Sequence, residues 1–161
     1  MITYVLTLSR VFPAGHNRAG EPTNFETAFR DGQKPYLDKN LKGFRKVHTI
    51  RANYEFWAKR FEKINSGEAQ LSIREWIGKP YGKGSTQRVI ANLTRKDGIG
   101  LQQLTFVQLR SLGIQYVDDR LVLTRKLAHN DGLSLKDWWN WFEGYDLSKP
   151  LAIIHFTKFR Y

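Results

Sequence analysis

Gly43-Phe44-Arg45-Lys46-Val47-His48-Thr49-Ile50-Arg51 is a glycine turn running into a strand over residues 47–51. Side chains alternate along a strand, so Thr49 and Arg51 face the same way. Lys46 faces the other way if the strand begins there. If Lys46 instead ends the preceding turn, all three groups converge. A lysine beside an arginine, partly buried, loses some preference for its charged form. Such a lysine can serve as base or nucleophile, with a threonine hydroxyl to relay a proton. The same spacing also describes a solvated Lys and Arg flanking an ordinary strand threonine, which is the commoner case.

Outward from this stretch, the chain reads as many short strands and few helices. Residues 2–8 are apolar or β-branched almost throughout and read as a buried strand. Residues 9–24 follow as a long basic loop carrying Arg10, His16 and Arg18, and loops of that length in compact domains are often functional. A short helix fits residues 25–30. Residues 54–65 place Tyr54, Trp57, Ala58, Phe61 and Ile64 at helical spacing, with Asn53 as N-cap and Gly67 as stop. Residues 69–76 alternate apolar and polar as a half-buried strand, and residues 87–95 return as its partner across a glycine-rich basic loop, 78–86. Further strands fit 103–109 and 120–126. His129-Asn130-Asp131-Gly132 is a turn signal, after which Ser134 opens a helix over about 134–143 with Asp137 completing a capping box. Residues 151–157 read as a central closing strand. Six or seven strands with two clear helices imply an α+β fold, mainly β: a small barrel with helices packed on its ends. One domain over 1–161 suits this length.

Composition narrows the function classes. Lys and Arg number 26 against 15 Asp and Glu, a net charge of +11. That excess favours a polyanionic partner, RNA or a modified nucleoside or nucleotide, over a merely solvated basic surface. Arg18, Lys79, Lys83 and Arg88 are the loop cations expected to contact phosphates. There is no cysteine, which excludes disulfides, thiolate metal sites and a cysteine nucleophile. The first residues lack a signal-peptide pattern and no apolar run is long enough for a membrane helix, so a soluble cytoplasmic protein is expected. Gly82-Lys83-Gly84-Ser85 lacks the spacing of a phosphate-binding P-loop. The histidines at 16, 48, 129 and 155 show no zinc-ligand spacing, and no Gly-x-Ser-x-Gly elbow is present. His155 reads as a core histidine, while His16 and His129 are free to join a site. No metal and no organic cofactor is expected.

Lys46-x-x-Thr49-x-Arg51, preceded by Gly43, resembles the signature of ASCH domains. Ser66-Gly67-Glu68 leading into Leu71–Trp76, the segment Ala128–Leu135 and the closing stretch Ala152–Phe159 follow the same family order. The resemblance spans roughly residues 43–159, with residues 1–42 as an N-terminal strand and an elaborated basic loop. It implies a PUA-like β-barrel. Small bacterial members are amidohydrolases that remove the acetyl group from acetylated cytidine, and others are taken as RNA-binding modules. Carried over by position, the catalytic Lys, Thr and Glu of the amidohydrolases fall on Lys46, Thr49 and Asp131, with Arg51 beside the substrate. Asp131 is one methylene shorter than the family's Glu, so a gap of about 1.5 Å to the lysine is expected. Three functions stay open here: hydrolysis of an acyl amide on a modified nucleoside, non-catalytic RNA binding, and adaptor binding to a protein partner of unknown kind.

Overall fold

The computed structural model describes residues 1–35 and 43–161. Its elements run β1 (Ile2–Leu8), α1 (Phe25–Gln33), β2 (His48–Arg51), α2 (Tyr54–Ser66), β3 (Ala69–Ile77), β4 (Thr86–Leu93), β5 (Gly100–Thr105), β6 (Ile114–Val117), β7 (Arg120–Leu123), α3 (Thr124–Asn130), α4 (Leu135–Phe142) and β8 (Leu151–His155). Strand outweighs helix, and the class is α+β. The strands form two sheets, of order β1-β3-β4 and β2-β8-β5-β6-β7. Among the described residues no ladder joins the two sheets into a closed barrel. One continuous apolar core nonetheless fills the space between them, with Leu71 and Ile73 of β3, Ile153 and Ile154 of β8, Ile64 of α2 and Trp138 of α4 all sealed from solvent. No helix among the described residues is long and apolar enough to cross a membrane.

The apolar stripe of α2 packs on β3, β5 and β8, as its helical spacing implies. The Asn53 side chain accepts from the Phe56 N–H, and Gly67 leaves the helix at φ 86°, the left-handed conformation that glycine adopts without strain. β8 is buried at every residue and lies between β2 and β5, so a strand with little polarity takes an interior position, second of five, while β5 holds the centre.

Several boundaries differ from expectation, among them the closing strand, which stops at His155 rather than residue 157. α1 runs on to Gln33 rather than residue 30. The strand expected over 103–109 starts earlier, at Gly100, and stops at Thr105. The strand expected over 120–126 stops at Leu123, and Thr124 begins α3, which buries Leu127 and Ala128. Helix formers Arg125, Lys126, Leu127 and Ala128 outweigh the short apolar run before them. β6 was not expected. It pairs with β7 through a hairpin whose turn residues, Asp118 and Asp119, both have positive φ (44° and 65°). The mirror-image turn that two-residue hairpins need usually signals itself by Asn-Gly or Asp-Gly. Here Asp118 is held instead by its carboxylate, which accepts from the Gln103 backbone N–H (2.8 Å) and the Gln102 amide (3.1 Å).

α1 is clamped to the stretch that carries Lys46. The Lys46 N–H donates to Ala28 O (2.8 Å), and Gly32 lies so close that a Cβ there would sit 2.6 Å from the Lys46 carbonyl oxygen. Gly32→Ala gains at most about 1 kcal/mol of helix preference. It meets a backbone clash of the kind that costs about 1–3 kcal/mol. Net destabilisation is expected, read as a lower urea midpoint at unchanged slope; an unchanged or raised midpoint would show that α1 can step back from residue 46.

Candidate functional site

The run 44–47 is not a free turn. Val47 N–H donates to Asn130 O, Phe156 N–H donates to Val47 O, and Lys46 pairs with Asp131 in an isolated antiparallel bridge. This main-chain pairing brings the end of α3 beside the start of β2, across 85 positions of sequence. The Lys46 ammonium donates to Asp131 Oδ1 at 2.5 Å and to the Asp131 carbonyl at 2.6 Å. The Phe25 ring covers the ammonium, 4.0 Å from its centroid. No gap follows from the shorter acid, because the backbone bridge delivers the carboxylate directly onto the amine.

Lys46 and Asp131 are 1% and 4% exposed. Burial pushes the Lys46 amine below its usual pKa, aided by the nearby Arg51 and opposed by Asp131. Burial also pushes the Asp131 carboxyl above its usual range, against the pull of Lys46 and Arg51. Both shifts move the pair towards its neutral form, an amine facing a carboxylic acid. The Trp138 indole N–H lies beside Asp131, fully buried and outside hydrogen-bond geometry.

Thr49 is buried and accepts from the Arg51 guanidinium at 3.1 Å. Arg51 also donates to Ile50 O (3.1 Å) and to Thr7 O on β1 (2.6 Å). β1 and β2 are edges of different sheets, so Arg51 bridges the seam between them. Its donors are therefore directed at the protein rather than at the space where a substrate would lie. Burial lowers the Arg51 pKa, offset by the Asp131 charge.

A cavity of about 430 Å³ adjoins the pair, with Phe12, Asn24, Thr27, Ala28, Phe44 and Gly132 in its wall. None of Lys46, Thr49, Arg51 and Asp131 lines it. Gly132 is the partition: a Cβ there would lie 3.3 Å from Lys46 Cβ and 3.5 Å from the Phe25 ring. The volume suits a nucleoside-sized ligand.

The expected phosphate contacts fare differently. Arg18 lines that cavity, but its guanidinium is bound to Glu21 (2.6 Å) and Asp137 (2.8 Å), which raise its pKa. Arg88 is likewise engaged, by Glu26 and by Glu75 (2.5 Å). These two cations are already neutralised by carboxylates. Lys79 and Lys83 remain exposed on the β3–β4 loop and line neither the cavity nor the pair. Asp137 gives its carboxylate to Arg18, while the Ser134 hydroxyl caps α4 by accepting from the Asp137 N–H (3.1 Å). His16 is buried in the loop after β1, accepting from the Arg18 N–H at Nδ1 and facing the Asp137 carbonyl with Nε2 (2.9 Å), so it holds the fold rather than a ligand. His129 is exposed on α3 against Phe44. His155 is fully buried, and both ring nitrogens lack a hydrogen-bond partner. The contributions of Phe25, Gly132 and Trp138 were not read from the sequence; of these only Gly132 had a signal, as part of the turn after Asp131. Among the described residues no cluster of three or more His, Asp or Glu could hold a metal ion. Compared with protein-family models, curated proteins and solved structures, the chain has no significant match.

Proposed function

We propose that the chain is an ASCH-like cytoplasmic domain acting on RNA or a modified nucleoside, and that it hydrolyses an acyl amide at the Lys46–Asp131 pair. The observation that carries this reading is the 2.5 Å contact between two buried, oppositely charged groups beside a nucleoside-sized cavity. In this reading the two sheets, laced by Arg51, act together as a PUA-like barrel. Burial works against both charges, so one proton transfer across the 2.5 Å contact gives the amine and carboxylic acid that amide hydrolysis needs. The Lys46 amine takes a proton from water as the oxygen attacks the acyl carbon. The Asp131 acid protonates the exocyclic nitrogen as the carbon–nitrogen bond breaks. The products are a carboxylic acid and the free nucleoside amine. Phe25 and the Gly132 turn must move aside for substrate to reach the pair, a gating step of the kind common in enzymes. A second reading has its own observation. The pair is sealed and lines no cavity, as an ion pair that only fixes the fold would be. The cavity and basic surface then bind RNA without chemistry.

Incubation with acylated and alkylated nucleosides, followed by chromatography, separates the two. Wild type is expected to release cytidine from acetylated cytidine. Asp131→Asn, which keeps the shape, is expected to lower the rate by about 10²–10⁴-fold, the usual worth of a positioned proton donor. Absence of product from every nucleoside, by a folded wild type, would remove the catalytic reading and leave the binding one.

A further inference from the structure

A second cleft, of about 800 Å³, is lined by Arg45, Val47, His129 and Asn130, the neighbours in sequence of Lys46 and Asp131. It is framed by the end of α1, the run 43–47, α3 and the residues after β8. Its wall carries Lys34, Arg45, Lys126 and Lys158, together with His129 and Phe159, and among the described residues it contains no Asp or Glu. Three other cavities set acids beside their cations: Arg18 with Asp31 and Asp137 in one, Arg10 and Arg88 with Glu26 and Glu75 in another, and Lys149 with Glu55 and Asp146 in a third; a fourth has Arg10 as its one cation. In the cleft, Lys34 meets Asp31 at 3.0 Å, and Arg45 donates to the backbone carbonyls of Asp31 and Gly32. Lys126 and Lys158 are exposed, and neither has a carboxylate partner among the described residues. Lys126 instead lies over the rings of Phe159 and Tyr161, 5.8 and 5.9 Å from their centroids.

We infer that this cleft, rather than the β3–β4 loop, holds the phosphodiester backbone of a single-stranded RNA. The inference rests on the reading that the partner is RNA. Like charges gathered in a concave wall focus potential and attract a polyanion. Phe159, half-buried in the wall, offers a ring on which a base can stack. The cleft also shares Gly43 with the cavity beside the Lys46–Asp131 pair. A strand whose phosphates lie on Lys126 and Lys158 thus has a path to that cavity, so the substrate would be a nucleotide within a strand rather than a free nucleoside.

Binding of a fluorescent oligouridine, measured by anisotropy from about 50 to about 200 mM salt, tests this. Each phosphate contact on a single strand contributes about 0.7 to the slope of log affinity against log salt. The variant Lys126→Ala/Lys158→Ala is expected to lower that slope by about 1.4, two contacts' worth. Both side chains are exposed, so the fold should persist, which circular dichroism checks. Uridine 5′-monophosphate should bind far more weakly than the oligomer. An unchanged slope in the double variant, or the same loss moved to Lys79→Ala/Lys83→Ala, overturns the cleft while RNA binding stands. Equal affinity for oligomer and mononucleotide overturns the strand. Failure of wild type to bind the oligomer at the lowest salt overturns both this inference and the RNA reading.

Discussion

Lys46→Ala is expected to cost about 3–5 kcal/mol of folding stability, because it strands a buried carboxylate without its partner. For a domain of this size that corresponds to a fall in Tm of roughly 6–20 °C. The estimate follows from geometry rather than from charge alone. Both groups lie out of water, and the ammonium is enclosed by Asp131 and Phe25. Removing only the amine leaves Asp131 to protonate or to drag water inwards. The double replacement Lys46→Met/Asp131→Leu should recover most of the loss, since a buried pair can often be exchanged for apolar residues at little cost. That contrast also separates function from stability. If the recovered double variant folds but hydrolyses nothing, the pair is kept for chemistry or binding rather than for stability. Differential scanning calorimetry supplies the check. A loss below about 1 kcal/mol for Lys46→Ala, the range of exposed ion pairs, would show that the pair opens readily to solvent.

Acid should weaken the fold well above the range where carboxylates titrate. His48 and His155 meet edge to face, with centroids 5.5 Å apart, as the end pair of the β2–β8 ladder, and both are fully buried. Burial, with the Arg160 charge adding, holds His155 down to about 3. Burial, then His155 and Lys46, hold His48 well below its ordinary value. In the unfolded chain both titrate near 6.5. Above that pH they are neutral in both states and stability is unaffected. Below it the unfolded chain takes up protons that the folded one refuses. Each histidine then removes up to about 1.4 kcal/mol per pH unit. For His155 the window extends down to about pH 3. Asp131, whose carboxyl burial raises, works in the opposite sense. The His155 share is therefore the difference between wild type and His155→Leu. The fall in urea midpoint from about pH 7 to about pH 5 should be smaller in the variant, which keeps the His48 share, than in wild type. Parallel lines would mean that the ring is hydrated in solution.

The sequence carried the local features of this fold well and the long-range ones unevenly. α2 was legible because its stripe, its N-cap and its terminal glycine agree. β8 was legible because nothing polar interrupts it. α3 was hidden because the run before it, Arg120–Leu123, has strand character and the switch at Thr124 has no glycine or proline to mark it. Lys46 and Asp131 were placed in one site by the ASCH resemblance, with a gap expected between them; their direct contact and its sealing were not legible, since the backbone bridge, Phe25 and Gly132 reach the pair only through tertiary packing. Arg18 and Arg88 look like loop cations in sequence. Glu21 and the cross-strand Glu75 are near their arginines in sequence, but Asp137 and Glu26 lie 119 and 62 positions away, and charge read locally cannot reveal neutralisation across such distances.

The placement of β8 also bears on how the molecule is made. β2 and β5 are both synthesised early, and neither touches the other; each bonds to opposite sides of β8. A nascent chain emerging from the ribosome therefore presents two unpaired strand edges, together with the unfilled core between them, until residue 151 clears the exit tunnel. Completion of the five-stranded sheet therefore waits for β8. A chain stalled or truncated before β8 should be a client for chaperones and proteases rather than a partly working domain.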